Sequence, residues 1–144
     1  MKLTEHFTLE ELTVSEIARR FDLDNNPSGD VVINLRRLAE FLEKVRLLLN
    51  KPIHINSAFR SIEVNSKLGS KSTSQHTIGC AADITVGGMT PDQIVKAIVK
   101  SDLKYDQVIR EFNSWVHISI PNDETVKPRK QALIIDKTGT RPYA

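Results

Sequence analysis

The residues best suited to chemistry are two histidines and one aspartate, in two separate stretches of the chain. His76 lies in the Ser/Thr/Gly-rich stretch Ser74–Asp83, and Asp83 opens the apolar run that follows it. His117 lies within Trp115–Ile120, whose alternating pattern is typical of a strand. Two imidazoles and one carboxylate are ligands of the kind found in catalytic zinc sites, which keep a fourth position open for water. We therefore expect a zinc hydrolase.

Strand alternation predicts that both ligand strands direct their polar side chains to a common side. Trp115 and His117 fall on one face of their strand, and Asp83 and Thr85 share a face of theirs. The residues between them are apolar and would anchor both strands in the core. His76 would approach this face from the preceding loop. Such an arrangement holds metal ligands on rigid elements.

The clearest helical pattern covers residues 31–50, where apolar residues recur at intervals of three and four. Thr8 with Glu11, and Thr13 with Glu16, have the spacing of capping boxes and predict two short helices before it. Ser61 is a natural N-cap for a further short helix, and Thr90 is one for another. These elements would pack behind the sheet.

The second half of the chain reads mainly as strands. Residues 106–111 and 115–120 are separated by a short polar segment and predict an antiparallel hairpin. Residues 132–135 form a short apolar run that we interpret as a last edge strand. The fold class expected is α+β, with a small antiparallel sheet that carries the zinc site and packs against one long and several short helices. We expect a single domain over residues 1–144, with residues 136–144 as a loosely ordered tail.

Composition excludes several other kinds of protein. The chain has 144 residues, of which 40% are hydrophobic and 26% charged, as is ordinary for a globular domain. Its net charge of +2 is too small to indicate a nucleic-acid partner. A single cysteine, Cys80, rules out an internal disulfide and a thiolate-rich zinc site. We interpret Cys80 as a small buried residue beside the site.

Localisation and partners follow from what the sequence does not contain. No apolar run approaches the roughly 20 residues that span a bilayer, so we expect no membrane insertion. The first residues lack the apolar core of a signal peptide, which predicts synthesis in the cytoplasm and action on the cell wall only after release. Residues 13–21 resemble the first helix of a helix-turn-helix, but no recognition helix follows. We expect a monomer without a nucleic-acid partner.

The motifs as a set resemble those of the zinc D-Ala-D-Ala carboxypeptidases and endolysins, a family of peptidoglycan peptidases. The family pattern is Ser-x-His-x-x-Gly-x-Ala-x-Asp followed at a distance by Trp-x-His. The matching residues are Ser74, His76, Gly79, Ala81, Asp83, Trp115 and His117. Ser57–Ser61 and Asn65 resemble an upstream motif of the family, and His6-Phe7 with Asn26-Pro27 resemble its phage and prophage members.

This resemblance implies roles for particular residues. His76, Asp83 and His117 would be the zinc ligands. Arg60 would contact the substrate's carboxylate or the developing oxyanion, because a guanidinium is a rigid, permanently charged fork of donors. Ser74 would help to bind the substrate. The substrate would be a peptidoglycan stem peptide.

The general base is the point at which the sequence departs from the family. Some members place an acidic residue three positions before the last histidine ligand, where this chain has Ser114; others place a histidine five positions before it, where it has Phe112. The nearest carboxylate is Glu111, which the hairpin would fold back toward His117 and which we expect to act as the base. Asp106 and Glu124 are the alternatives.

The expected function is hydrolysis of a peptide bond in peptidoglycan, by a carboxypeptidase or an endolysin-type endopeptidase. The alternative is a non-catalytic module that binds cell-wall peptides on the same scaffold. The missing family base favours the binding module, whereas a complete ligand set favours the enzyme.

Overall fold

The structure is a computed structural model that describes residues 1–143. Five α-helices and six β-strands follow one another along these residues, with a 3₁₀ helix at Gln75–Ile78. The helices are α1 (Leu9–Thr13), α2 (Glu16–Arg20), α3 (Gly29–Leu49), α4 (Ile62–Lys67) and α5 (Pro91–Val99). The strands are β1 (His54–Ser57), β2 (Ala81–Thr85), β3 (Gln107–Glu111), β4 (Trp115–Ser119), β5 (Gln131–Asp136) and β6 (Gly139–Pro142).

All six strands form one sheet in the order β1-β2-β4-β3-β5-β6. Neighbours are antiparallel except for β3 and β5, which run parallel. The α+β class is therefore confirmed, and so is the β3–β4 hairpin. The sheet is larger than the small antiparallel sheet that we expected, and it is mixed.

One face of the sheet is covered by the helices. The apolar stripe of α3 is fully buried at Leu35, Leu38 and Leu42, and the same holds for the inner face of α5. Both helices pack against apolar strand residues that directly follow the ligand positions in sequence, such as Ile84 and Ile118. Because successive strand side chains alternate in direction, the opposite face carries the ligand positions. The core thus fixes the strands that hold the site.

The C-terminal part of the chain differs from expectation. The segment predicted to be an edge strand is β5, which lies between β3 and β6. Residues 139–142, predicted to belong to a loosely ordered tail, form the edge strand β6. The tight turn between these strands is held by Asp136, whose carboxylate accepts hydrogen bonds from Thr138 and Arg141. Polar side chains close this hairpin where an apolar pattern is lacking.

Side chains directly before α1 and α2 cap the N-termini of these helices. Thr8 and Glu11 form the predicted capping box of α1. The second predicted capping box, Thr13 with Glu16, is wrong. Ser15 is the N-cap of α2, and its side chain accepts a hydrogen bond from the Ala18 amide. No helix among residues 1–143 has the length and apolarity needed to cross a membrane.

Candidate metal centre

Three elements bring the predicted ligands together. Asp83 in β2 and His117 in β4 are direct partners in the antiparallel register, so their side chains leave the same face of the sheet side by side. His76 lies in the 3₁₀ helix that leads into β2. One donor atom from each of the three residues lies within 4.8 Å of the other two. The sequence prediction that these side chains converge is therefore met by the geometry.

The orientation of His76 is fixed by the backbone. Its Nδ1 lies 2.6 Å from the Ala58 carbonyl oxygen, which can only accept, so Nδ1 carries the proton and donates. The ring is 2% exposed, and this burial lowers its pKa, which keeps the imidazole neutral. The lone pair of Nε2 is then free and faces Asp83 Oδ1 at 3.4 Å.

The spacing of the donors fits a zinc ion. Asp83 Oδ1 lies 3.4 Å from His76 Nε2 and 3.2 Å from His117 Nδ1. Two ligands of a tetrahedral zinc at its usual bond lengths are about 3.3 Å apart. A neutral imidazole lone pair that faces a carboxylate oxygen also repels it unless a cation lies between them. These residues therefore suit a cation bound by His76, Asp83 and His117.

Asp83 is ionised in this environment. Burial by itself would raise its pKa, but the hydrogen bond with His117 Nδ1 outweighs that effect and holds the pKa well below its usual range. A deprotonated carboxylate is the form that ligates metal ions. The donor set is thus ready for a metal at neutral pH.

The loop that carries His76 is held at both ends. Ser74 caps the 3₁₀ helix, where its Oγ accepts a hydrogen bond from the His76 amide at 3.3 Å. The Arg60 amide donates to the His76 carbonyl at 3.0 Å. Gly79 ends the 3₁₀ helix with a φ of 81°, in the left-handed region, and a Cβ there would lie 3.0 Å from the Val31 carbonyl oxygen. The structure thus gives Ser74 a role in positioning His76.

Arg60 lies in the same cleft with unused hydrogen-bonding capacity. The cleft has a volume of about 380 Å³ and is lined by the three candidate ligands together with Arg60, Ser74 and Glu111. The Arg60 Nε is buried without an acceptor among the described residues, and Nη2 makes one long contact of 3.5 Å to Ser74 Oγ. Burial lowers its pKa, although a guanidinium remains charged. The Arg60 guanidinium is therefore a cation that can bind an anionic group.

Glu111 faces the cleft through the register of the hairpin. It is paired with Trp115, two residues before His117 on the neighbouring strand. Burial raises the pKa of Glu111, and the nearby Asp83 charge raises it further. Ser114 and Phe112 are both exposed in the turn. The carboxylate expected from the sequence thus lies beside the candidate ligands.

The two alternative bases lie elsewhere. Asp106 is buried, and its carboxylate accepts hydrogen bonds from Arg129 and Gln75 outside this cleft. Glu124 is exposed in the segment after β4. Neither lines the cleft that holds the candidate ligands.

Comparison with known proteins identifies the family of this chain. The family model described as peptidase M15 matches residues 5–119, which is most of the chain. The chain belongs to the peptidase M15 family. Its members are zinc peptidases, so the match indicates a metallopeptidase that acts on peptidoglycan. No curated protein matches the sequence.

The M15 match includes all three candidate ligands as well as Arg60 and Glu111, but it ends at Ser119. Beyond it, Arg129 and Ile135 reach a second groove that adjoins His117 and also contains Lys71. Sequence reasoning missed Arg129 and Ile135, because only a long-range pairing places them near the site. For Lys71 there was a signal, since it lies in the Gly/Ser/Thr/Lys loop of residues 69–75, whose composition is typical of functional loops.

Sequence reasoning also did not predict a role for the indole N–H of Trp115. Its Nε1 is buried and has no acceptor among residues 1–143, although buried tryptophan N–H groups usually have one. The Trp115 ring lines the cleft beside Glu111. Its N–H nevertheless interacts with the Glu111 carboxylate and partly offsets the rise in the pKa of that group.

Proposed function

We propose that this M15 protein is a zinc-dependent peptidase that hydrolyses a peptide bond in peptidoglycan stem peptides. The bond would be cut in the manner of a D-Ala-D-Ala carboxypeptidase or of an endolysin-type endopeptidase. The observation that supports this proposal most is one cleft that contains all three kinds of group. It holds three metal-ligand atoms at zinc spacing, the Arg60 guanidinium, whose Nε has no hydrogen-bond acceptor among residues 1–143, and the Glu111 carboxylate, whose pKa is raised.

The zinc would be bound by His76 Nε2, Asp83 Oδ1 and His117 Nδ1. Bound zinc supplies Lewis acidity, which lowers the pKa of water and polarises a carbonyl group. The Ala58 carbonyl keeps His76 in the tautomer that leaves Nε2 free, and such outer partners strengthen a metal site.

Arg60 would bind negative charge on the substrate. Its buried Nε and its weakly engaged Nη2 provide two donors, which match the two oxygens of a carboxylate or one developing oxyanion. The low-dielectric surroundings that lower its pKa also strengthen this interaction. Ser74 Oγ lies 3.5 Å from Nη2 of Arg60 and would help to bind the same substrate group.

Glu111 would act as the general base. Its carboxylate would take a proton from the attacking water and transfer it to the leaving amine. In the metal-free site burial raises its pKa, and a base whose pKa lies closer to the working pH transfers protons in both directions more readily.

Digestion of purified peptidoglycan with the zinc-loaded protein tests the proposal. We expect new fragments by mass spectrometry, whose masses identify the bond that is cut. The matched control is the Glu111→Gln protein, which keeps the ligand set. Zinc binding without fragments from any peptidoglycan preparation would contradict the peptidase and favour a binding module.

A further inference from the structure

The second groove beside the metal ligands differs in chemistry from the cleft of Arg60 and Glu111. It has a volume of about 470 Å³ and meets the first cleft at Ser70, Ser74 and His117. Its walls come from the loop of residues 70–75 on one side and from Arg129 on the other. A substrate that crosses His117 would therefore extend into this groove.

The floor of the groove is apolar. Ile109 in β3 is the register partner of His117, and Ile135 in β5 is the partner of Glu111. Both isoleucines therefore lie on the metal face of the sheet, directly beyond the site. A ligand that leaves the site in this direction first meets hydrocarbon, which suits an aliphatic stem.

The rim of the groove is cationic. Lys71 is exposed on the loop side, and Arg129 lies on the opposite side. Among residues 1–143, no acidic side chain lines the groove. The hydrogen bonds of Arg129 to Asp106 use Nε and Nη2, which holds the guanidinium at the rim and leaves Nη1 for a ligand.

From this juxtaposition we infer that the groove is a specificity subsite for a substrate residue with an aliphatic stem that ends in a carboxylate. Ile109 and Ile135 contact the stem, and Lys71 and Arg129 bind the carboxylate. Arg129 and Ile135 lie outside the family match, whereas Lys71 and Ile109 lie within it. The inference rests on the proposed peptidase function, because it assigns the groove to the same substrate.

The test uses two synthetic stem peptides that differ in one group next to the scissile bond, a side-chain carboxylate in one and the carboxamide in the other. We expect the zinc-loaded wild type to cleave the carboxylate peptide with a kcat/KM roughly tenfold higher, as one charge-assisted hydrogen bond allows. Equal values of kcat/KM for the two peptides would overturn the subsite.

Three variants locate the preference. Lys71→Gln should reduce it to roughly threefold, because one of two cations is lost. Ile135→Glu places a negative charge in the groove and should abolish or reverse the preference for the carboxylate peptide. Ile135→Gln introduces a side chain of the same size as glutamate without the charge, and should retain most of that preference. Lys100→Gln removes a lysine at the end of α5, on the helical side of the sheet, and should change neither activity nor preference. A preference that survives both Lys71→Gln and Ile135→Glu overturns the inference.

Calorimetric binding of both peptides to the zinc-loaded wild type separates the two proposals. If neither peptide is cleaved but the carboxylate peptide binds about tenfold more tightly, the subsite stands and the peptidase function falls. If both are cleaved at equal rates and bind equally, the peptidase function stands and the subsite falls.

Discussion

His117 offers the most direct test of the metal site at the level of single residues. Its Nδ1 is one of three donors, so His117→Ala leaves a site with two ligands that cannot hold zinc firmly. We expect wild type to carry about one zinc per chain and the variant to lose metal and activity together, as measured by elemental analysis and peptide turnover. His54→Ala, which removes an exposed histidine of β1, should change neither. A metal-free wild type that is fully active would contradict the assignment.

Arg60 tests whether geometry or charge matters at the anion site. Arg60→Lys keeps the positive charge but loses the fork of donors, of which Nε is buried without a partner. We expect turnover to fall by roughly an order of magnitude or more, while zinc content stays at the wild-type level. Steady-state kinetics with parallel metal analysis measure both. Unchanged kinetics would mean that Arg60 does not contact the reacting groups.

Glu111 is the residue whose role depends most on the structure. Glu111→Gln keeps the size of the side chain but cannot accept a proton. We expect zinc content to stay near wild type and turnover to drop by roughly 10²–10⁴. The acidic limb of the pH–rate profile should flatten, because in wild type that limb reports protonation of Glu111. If turnover is normal, the base is a different group.

The raised pKa of Glu111 also predicts an effect on stability. A carboxylate whose pKa is raised by folding destabilises the folded state at pH values above that pKa, because the charged form is the one disfavoured by burial. In metal-free protein at pH 7, Glu111→Gln should therefore have a higher Tm than wild type. The difference should shrink as the pH falls through the raised pKa. A lower Tm for the variant at pH 7 would contradict this account of the site.

At the scale of elements, the turn after His76 decides whether the ligand loop can reach the sheet. Gly79 has positive φ, and a side chain there would press on the backbone and side chain of Val31 in α3. Gly79→Ala should lower the free energy of unfolding by about 2 kcal/mol. Urea denaturation measures this, and Gly87→Ala is the matched control, because a Cβ at Gly87 contacts nothing within 4 Å. Equal losses for both variants would show that the close approach to α3 is unimportant.

At the scale of the whole molecule, local signals predicted the elements that hold the ligands and the strand at residues 132–135, but neither the parallel pairing of that strand nor β6. The Thr8/Glu11 capping box and the Thr90 N-cap form as expected, because each depends on contacts between residues three apart in sequence. The alternation around His117 predicted its face correctly, since the strand is half-buried. The parallel pairing of β3 with β5 joins residues 24 apart across a polar segment, for which no local pattern exists.

Asp106 links the C-terminal segment to the rest of the molecule. Its buried carboxylate accepts hydrogen bonds from the Arg129 guanidinium and backbone and from the side chain of Gln75, beside the ligand His76. Burial by itself would raise its pKa, but these hydrogen bonds outweigh that effect and lower it. One ion pair thus fixes both the approach to β5 and one wall of the second groove.

This arrangement makes a prediction that has a defined pH dependence. Asp106→Asn should lower the free energy of unfolding at pH 7 by about 1–3 kcal/mol, because Arg129 loses its partner. The value should lie toward the lower end, since the arginine is half exposed and solvent screens the pair. A lowered carboxylate pKa stabilises the folded state above the ordinary aspartate pKa, and this stabilisation is lost as the pH falls through the lowered value. Urea denaturation of wild type and variant should therefore show a difference that is full at pH 7 and shrinks at pH values below about 4. Asp102→Asn, at an exposed position, should have the wild-type free energy of unfolding at every pH. If the difference between Asp106→Asn and wild type does not depend on pH, packing rather than the ion pair holds this segment.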